Sequence, residues 1–379
     1  MTSSQYNLLS CIRSSLFTGE AFSLSDVIAS EAEQQAILPL IGSRIDRYAA
    51  VAQNVQIFVE LKKIEEILAV IHFVVLKGMA AAVYYPEPLL RIFGDIDIIV
   101  RPEDFIAVYE ILHTNGYITN DSAAKVDREA LFYKNGIVIE LHRSFAELNQ
   151  KRQEDLLDRW IFDAIPDAVY GRIQERTFPM LPDFMNGLTL LAHISQHLES
   201  GLGLRQILDW VMYVNKALHD NDWPDFRKKT DQLGLTKLAK VTARLGQLYL
   251  GLPEENITWC MDADERLCSE LLEYLFECGD FGRRLGANNT VTSIFSKGKG
   301  MRNLFINLQD DGERTWKTLN QHPYLKPFAW IYQGIRLASR GIKKVSFKEL
   351  ISDIRASRKR NELMEKLEAT QQANRNANK

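Results

Sequence analysis

The chain has 379 residues, of which 46% are hydrophobic and 25% are charged. This composition is typical of globular proteins and excludes a wholly disordered, collagen-like or fibrous chain. Its 46 Lys and Arg nearly balance its 49 Asp and Glu, so the formal net charge of −3 does not indicate a strongly basic or acidic protein.

The N-terminus, MTSSQYNLLSCIRSSLF, has no cationic segment followed by an apolar run and a small-residue cleavage site, so no secretory signal is expected. The longest apolar stretches are far shorter than the roughly 20 residues that a membrane-spanning helix needs, so no transmembrane segment is predicted. The four cysteines, Cys11, Cys260, Cys268 and Cys278, form no CxxC pair. We expect reduced, mostly buried thiols in a cytoplasmic protein.

The first elements in chain order are helices. Apolar residues recur at intervals of three and four up to residue 68, which predicts a helical N-terminal segment over 1–64. The run LAVIHFVVLKG is rich in branched apolar residues and predicts a buried strand over 70–76. A short helix over 79–85 follows, and two prolines end it because proline lacks a backbone donor.

Further strands complete a predicted core over 65–150. The run GDIDIIV predicts a strand over 94–100, and a proline just after it marks the start of a helix over about 103–116. The run FYKNGIVIELH carries an Asn135-Gly136 pair between two extended segments. This pair predicts a tight antiparallel hairpin, because its turn type needs positive φ at both positions.

The remaining sequence returns to helical periodicity, which predicts a large helical domain over 151–330. A basic helix and a disordered tail are predicted over 331–379. The predicted fold class is therefore α+β, with a small mixed β-sheet core, a helical N-terminal segment and a large helical C-terminal domain.

Two acidic residues alternate with isoleucines in GDIDIIV. Successive strand side chains point to opposite faces, so Asp95 and Asp97 share one face. Like charges this close repel unless a cation lies between them, and carboxylates on a rigid strand suit Mg²⁺ that also binds substrate phosphates. For an isolated DxD pattern, a solvated edge strand is the alternative.

The predicted hairpin supplies a third acid. Glu140 and His142 share one face of its second strand, where an isolated buried charge would be costly. If this strand lies beside GDIDIIV, Glu140 completes a three-carboxylate site for one or two metal ions. Upstream, the strand ending at Lys77-Gly78 runs directly into a short helix, whose free backbone N–H groups would bind a phosphate.

Three short motifs follow one another along the predicted core, namely LKG, R-x-x-x-D-x-D and ELH. With the order of elements, they resemble the polymerase-β-like nucleotidyltransferase superfamily, and more narrowly a bacterial family of uncharacterised nucleotidyltransferases. The resemblance covers residues 70–145 well and 180–215 more loosely. The matching positions are Leu76, Lys77, Gly78, Arg91, Asp95, Asp97, Glu140, Leu141 and His142.

The resemblance implies transfer of a nucleoside monophosphate from an NTP to an acceptor, with pyrophosphate as leaving group. Asp95 and Asp97 would hold Mg²⁺ (or Mn²⁺) on the triphosphate, and Glu140 would hold a second ion or accept the proton of the attacking hydroxyl. The acceptor would be a small molecule, a peptide or a protein. The residues expected to bind the nucleotide are Lys77, Gly78, Arg91 and His142, with a purely structural role as the alternative for the histidine.

One position departs from the superfamily pattern. Most active members carry a Gly-Ser pair at the phosphate turn, whereas Met79 follows Gly78 here. The lost hydroxyl contact would have to be replaced by a cation, Lys77 or Arg91. Two other classes of function therefore stay open: a catalytically silent nucleotide-binding module, and an interaction protein whose basic C-terminal helix docks on a membrane or a nucleic acid.

The predicted helical domain contributes four polar residues. His193 and His197 are four residues apart on one helix face, a spacing that can bind zinc, but HISQH lacks the glutamate of a zinc-protease helix and no third ligand is evident. In the resemblance, His193, His197, Arg205 and Asp209 would line one wall of the cleft. Polar contacts between helices are the alternative.

Overall fold

The computed structural model describes residues 3–19, 37, 39–42, 44–120, 122–123, 126, 128–148, 150–200, 202–255, 257–278, 309, 316, 322–332, 336 and 362–367. The predicted basic helix and the predicted disordered tail therefore lie mostly outside the described residues.

Two α-helices whose bounds the structure describes precede the sheet. They are α1 (Ser3–Arg13), which a π-helical turn extends over Ser14–Thr18, and α2 (Arg44–Ile67). One side of α2 packs into the core through residues at helical spacing, including Ile57, Phe58 and Leu61. Both helices agree with the periodicity of the N-terminal sequence.

Six strands among the described residues form a single mixed sheet: β1 (Phe73–Val75), β2 (Ile96–Val100), β3 (Glu129–Lys134), β4 (Ile137–His142), β5 (Val169–Ile173) and β6 (Arg176–Met180). The strand order is β3-β4-β2-β1-β6-β5. The pairs β2–β4 and β1–β6 are parallel, whereas all other neighbours are antiparallel. This mixed sheet with flanking helices confirms the predicted α+β class.

The predicted Asn-Gly hairpin is present. Asn135 has φ 53° and Gly136 has φ 78°, so both turn positions lie in the left-handed region that this turn requires. The register is symmetric about the turn, and Lys134 pairs with Ile137. This turn therefore fixes which residues of β3 lie opposite those of β4.

A second hairpin, β5–β6, lies in the stretch that was expected to be helical. Its register with β1 joins Val75 to Met180 in parallel. Gly171 and Pro179 both lower strand propensity, which hides the pattern in the sequence. A Cβ at Gly171 would lie 2.6 Å from the sulfur of Met180, so a larger residue would force the side chain of Met180 to shift.

Eight further α-helices have bounds that the structure describes at both ends. The short α3 (Lys77–Ala82) begins two residues earlier than expected, and α4 (Phe105–Thr114) connects β2 to β3. Among the described residues, no helix is long and apolar enough to cross a membrane. The others are α5 (Lys151–Ala164), α6 (Asp183–Ser200), α7 (Leu204–Ala217), α8 (Trp223–Leu233), α9 (Thr236–Leu245) and α10 (Glu265–Cys278).

The loop that leads into β2 is held by one buried side chain of α2. The amide of Asn54 donates hydrogen bonds to the carbonyl oxygens of Leu89 (2.8 Å) and Arg91 (2.9 Å). Its own oxygen accepts one from the backbone N–H of Phe93 (2.9 Å). Since buried polar groups without partners are costly, these bonds fix the path of the loop before Asp95.

Three of the four cysteines, Cys11, Cys260 and Cys268, are buried free thiols, as predicted. Burial raises the pKa of each of them. The side chain of Cys278 lies outside the described residues.

Candidate active site

Two carboxylates lie side by side on the parallel strands β2 and β4. Asp97 is in register with Glu140, so both side chains project from the same face of the sheet. Asp97 is almost completely buried, whereas about a fifth of the Glu140 side chain, 19%, is exposed. The predicted adjacency of these two acids is therefore found in the structure.

Lys77 places its ammonium group between the two acids. Its Nζ lies 2.7 Å from Oδ1 of Asp97 and 3.0 Å from Oε2 of Glu140. Burial acts to lower the pKa of Lys77, but the charges of the two carboxylates outweigh this effect and raise it. The lysine has φ 50°, a conformation that a side chain with Cβ adopts at a cost of about 1–2 kcal/mol.

His142 lies on the same face of β4. Its Nε2 is 3.0 Å from Oδ1 of Asp97 and 3.5 Å from Oε2 of Glu140, and its Nδ1 is 3.3 Å from Oε2 of Glu129. Burial and the Lys77 charge act to lower the pKa of His142, but its contacts with the acids outweigh them and raise it. The imidazole is therefore held between carboxylates on both sides.

Asp95 lies at the start of this acidic face. Burial, followed by the charges of Asp97 and Glu140, raises the pKa of Asp95 to about 7. Burial also acts to raise the pKa of Glu140, but its contacts with His142 and Lys77 are stronger and lower it. The cluster therefore raises the pKa of Asp95 and lowers that of Glu140. Of these two acids, only Glu140 directly contacts Lys77 and His142.

The donor set fits a divalent cation. Among the described residues, Asp97, Glu140 and His142 each offer one ligand atom, and these atoms all lie within 4.8 Å of one another. Two carboxylate oxygens and one imidazole nitrogen are common ligands of divalent metal ions. A cation already lies beside all three atoms in the form of the Lys77 ammonium group, which shows that the position favours positive charge.

Arg91 lies in a different environment from the one expected of a phosphate ligand. Its guanidinium donates to both carboxylate oxygens of Asp209, at 3.1 and 2.6 Å, and to the carbonyl oxygen of Ile92 at 2.7 Å. Tyr85 donates a further hydrogen bond to Asp209 at 2.8 Å. Because Arg91 and Asp209 are buried and bind each other, the geometry favours a positioning role over the predicted phosphate contact.

Gly78 provides the space for this pair. A Cβ at Gly78 would lie only 2.9 Å from Nη1 of Arg91, so a larger residue would displace the guanidinium. The ion pair thus packs against the beginning of α3, directly beside Lys77. It connects the loop between β1 and β2 to α7.

His193 and His197 form a pair on α6. Their Nε2 atoms are 2.8 Å apart, so one ring donates a hydrogen bond to the other. Burial and the neighbouring ring lower the pKa of His193, while burial and the charges of Lys77 and Arg205 lower the pKa of His197 to about 4. The charges of Asp97 and Glu140 also act on His197, in the opposite direction. No group of three metal ligands within the described part of the chain includes the pair.

Glu129 is a site residue that the sequence reasoning missed. It lies opposite His142 in the hairpin register and contacts its Nδ1. The signal was available, because the Asn135-Gly136 turn determines every cross-strand pair once the turn is recognised. Counting outward from the turn to His142 leads to Glu129.

Comparison with known proteins identifies a family. A family model described as "Uncharacterised nucleotidyltransferase" matches residues 31–251, which include the whole sheet and helices α2 to α9. No curated protein matches the chain.

The raised pKa of Asp95 predicts a pH-dependent gain in stability from Asp95→Asn in the metal-free protein. At about pH 4 and below, Asp95 is protonated in both the folded and the unfolded chain. As the pH rises to about 7, only the unfolded chain loses its proton, so the folded state is progressively destabilised. We expect Asp95→Asn to raise the free energy of unfolding by about 1–2 kcal/mol above pH ~7 and by almost nothing near pH ~4.

Urea unfolding in the presence of a chelator measures this difference. The exposed Asp225→Asn on α8 is the control, and because its ion pair with Lys228 is exposed it should change the free energy of unfolding by no more than about 0.5 kcal/mol at either pH. An Asp95→Asn effect that is the same at both pH values would contradict the assignment.

We expect that replacing Arg91 greatly lowers the free energy of unfolding and that a second replacement, at Asp209, restores part of it. Arg91→Met leaves the carboxylate of Asp209 buried without its cation, which should cost about 3–5 kcal/mol. Adding Asp209→Leu removes the uncompensated charge, so the double variant should be more stable than Arg91→Met alone. Equilibrium urea unfolding of the two single variants and the double variant tests this, with Lys228→Met in an exposed pair as control. Additive losses would show that the pair is not energetically coupled.

Proposed function

The chain belongs to the uncharacterised nucleotidyltransferase family, and from this premise we propose that it transfers a nucleoside monophosphate from an NTP to an acceptor, using a divalent cation, Mg²⁺ or Mn²⁺. The observation that carries the proposal is the meeting of Asp97, Glu140 and Lys77 on one face of the sheet, with Asp95 close by. In the reaction, the oxygen of an acceptor hydroxyl forms a bond to the α-phosphorus, and the bond from the α-phosphorus to the α–β bridging oxygen breaks to release pyrophosphate. The proton of the acceptor hydroxyl passes to water.

In this proposal the acidic residues are the ligands of the cation. Asp95, Asp97 and Glu140 would hold the cation, which when bound supplies positive charge that neutralises the triphosphate. Of the two roles open to Glu140, its lowered pKa favours ligation over proton acceptance, since a weak base takes up a proton poorly. Positioning and charge neutralisation supply most of the rate enhancement in phosphoryl-type transfer, so few residues suffice.

Lys77 would act on the nucleotide phosphates. Its ammonium group neutralises the two acids in the absence of another cation, and a bound ion would take over that task. The long side chain, which starts from the first residue of α3, then reaches a phosphate oxygen. This gives a cationic phosphate donor at the turn where the superfamily usually has a serine and this chain has the buried Met79.

A silent nucleotide-binding module is the second candidate, and Met79 is the observation that favours it. Because the side chain of Met79 is buried and apolar, it offers the phosphates no hydroxyl. In that case the cluster would bind an NTP and its cation without product formation.

Asp97→Asn and Glu140→Gln are expected to lower transfer by at least about a hundredfold, because each weakens the binding of the cation whose positive charge would stabilise the transition state. The assay incubates the full chain with α-labelled NTPs and a divalent cation, and it follows pyrophosphate release and label transfer to small-molecule, peptide and protein fractions. Asp225→Asn, on the exposed surface of α8, is the matched control and should retain wild-type rates.

Equal pyrophosphate release by wild type, Asp97→Asn and Glu140→Gln would remove these acids from the mechanism. Calorimetric NTP binding by the wild type without product across all acceptor fractions would instead support the silent module.

A further inference from the structure

We propose that His142 is a direct metal ligand together with Asp97 and Glu140, and that its imidazole makes this site prefer a transition-metal ion such as Mn²⁺ to Mg²⁺. The inference rests on the cation site of the proposed function and specifies which ion it takes. It does not depend on the acceptor or on turnover.

Contacts with Glu129 and Phe145 limit the orientation of the His142 ring. Its Nδ1 lies 3.3 Å from Oε2 of Glu129, which is a charge contact, and its Nε2 faces Asp97 and Glu140. Metal-binding histidines typically have a carboxylate at the second ring nitrogen, and Glu129 occupies that position here. The edge-to-face contact with Phe145, with ring centroids 6.2 Å apart, also limits rotation.

The position of Lys77 marks where a cation is favoured. Its Nζ lies 2.7 Å from Oδ1 of Asp97, 3.0 Å from Oε2 of Glu140 and 3.5 Å from Nε2 of His142. All three candidate ligand atoms therefore surround one positive charge. Nε2 of His142 is therefore one of the atoms that face this positive charge.

The donor set determines the preferred ion. Mg²⁺ favours sites made only of oxygen ligands and keeps several waters, whereas imidazole nitrogen favours first-row transition metals. Only 3% of the His142 side chain is exposed, so the ring cannot readily turn away and let water replace it as a ligand. The site should therefore bind Mn²⁺ more tightly than Mg²⁺.

A different role for His142 predicts different results. If the ring only donates a hydrogen bond from Nε2 to Asp97, it is a positioning residue, and no nitrogen coordinates the ion. The site would then contain only oxygen ligands, and His142→Asp would leave the preference for Mn²⁺ over Mg²⁺ unchanged.

Pulsed electron paramagnetic resonance of the Mn²⁺-loaded full chain without nucleotide separates these roles. We expect a hyperfine coupling from a directly bonded nitrogen in the wild type, and its loss in His142→Asp, which keeps an oxygen ligand at this position. The coupling should persist in His197→Gln, near the cluster, and in His113→Gln, which replaces an exposed histidine of α4. Absence of the coupling in the wild type, or its persistence in His142→Asp, would overturn the proposal.

Competition between the ions gives a second readout. We expect the wild type to bind Mn²⁺ at least about tenfold more tightly than Mg²⁺, and His142→Asp to lose most of this preference. Glu129→Gln leaves the three ligands in place and should weaken Mn²⁺ binding by roughly tenfold or more. Lys77→Met should strengthen the binding of both ions, because it removes the competing ammonium group. Circular dichroism of each variant establishes that it is folded.

These outcomes are independent of the transfer assay. Equal affinities for Mn²⁺ and Mg²⁺ in the wild type would overturn the inference while the nucleotidyl transfer proposal stands. A chain that shows nitrogen-coordinated Mn²⁺ but no transfer would support the metal site and contradict the proposed activity.

Discussion

The ammonium group of Lys77 lies between Asp97 and Glu140, and the arrangement of the site depends on a positive charge at that point. The β2–β4 register places the two carboxylates side by side on one face of the sheet. Without a cation, two partly or fully buried negative charges so close together would repel each other and lose hydration. The two neighbouring carboxylates therefore need a positive charge beside them. Lys77 supplies this charge in the structure, and a divalent ion would supply it during the proposed reaction.

The surroundings of this cluster are held by buried polar contacts from distant parts of the chain. Asn54 of α2 fixes the loop before β2, and the Arg91–Asp209 pair joins that loop to α7. Because both contacts are buried, they tolerate little rearrangement. The acids and Lys77 thus extend from a rigid base, as a site that works by positioning requires.

Much of the core follows from local sequence signals, whereas the long-range contacts do not. Period-two alternation and the Asn135-Gly136 turn predict the strands and the strand faces that carry Asp97 and Glu140. That these residues are neighbours depended on β4 pairing with β2, which the structure shows. The β5–β6 hairpin escapes this reasoning because Gly171 and Pro179 weaken its strand pattern. The pairing of Arg91 with Asp209 joins residues 118 positions apart, and no local spacing encodes such a contact. This explains why Arg91 was expected at a phosphate and is found in a buried ion pair.

Anomalous diffraction from crystals grown with Mn²⁺ and a non-hydrolysable NTP tests the central claim most directly, because it locates the ion independently of any assay. The account predicts an anomalous peak at coordinating distance from carboxylate oxygens of Asp97 and Glu140, with the ammonium group of Lys77 moved onto a phosphate oxygen. A bound nucleotide with no Mn²⁺ peak at these acids, and with Lys77 still between them, would contradict it.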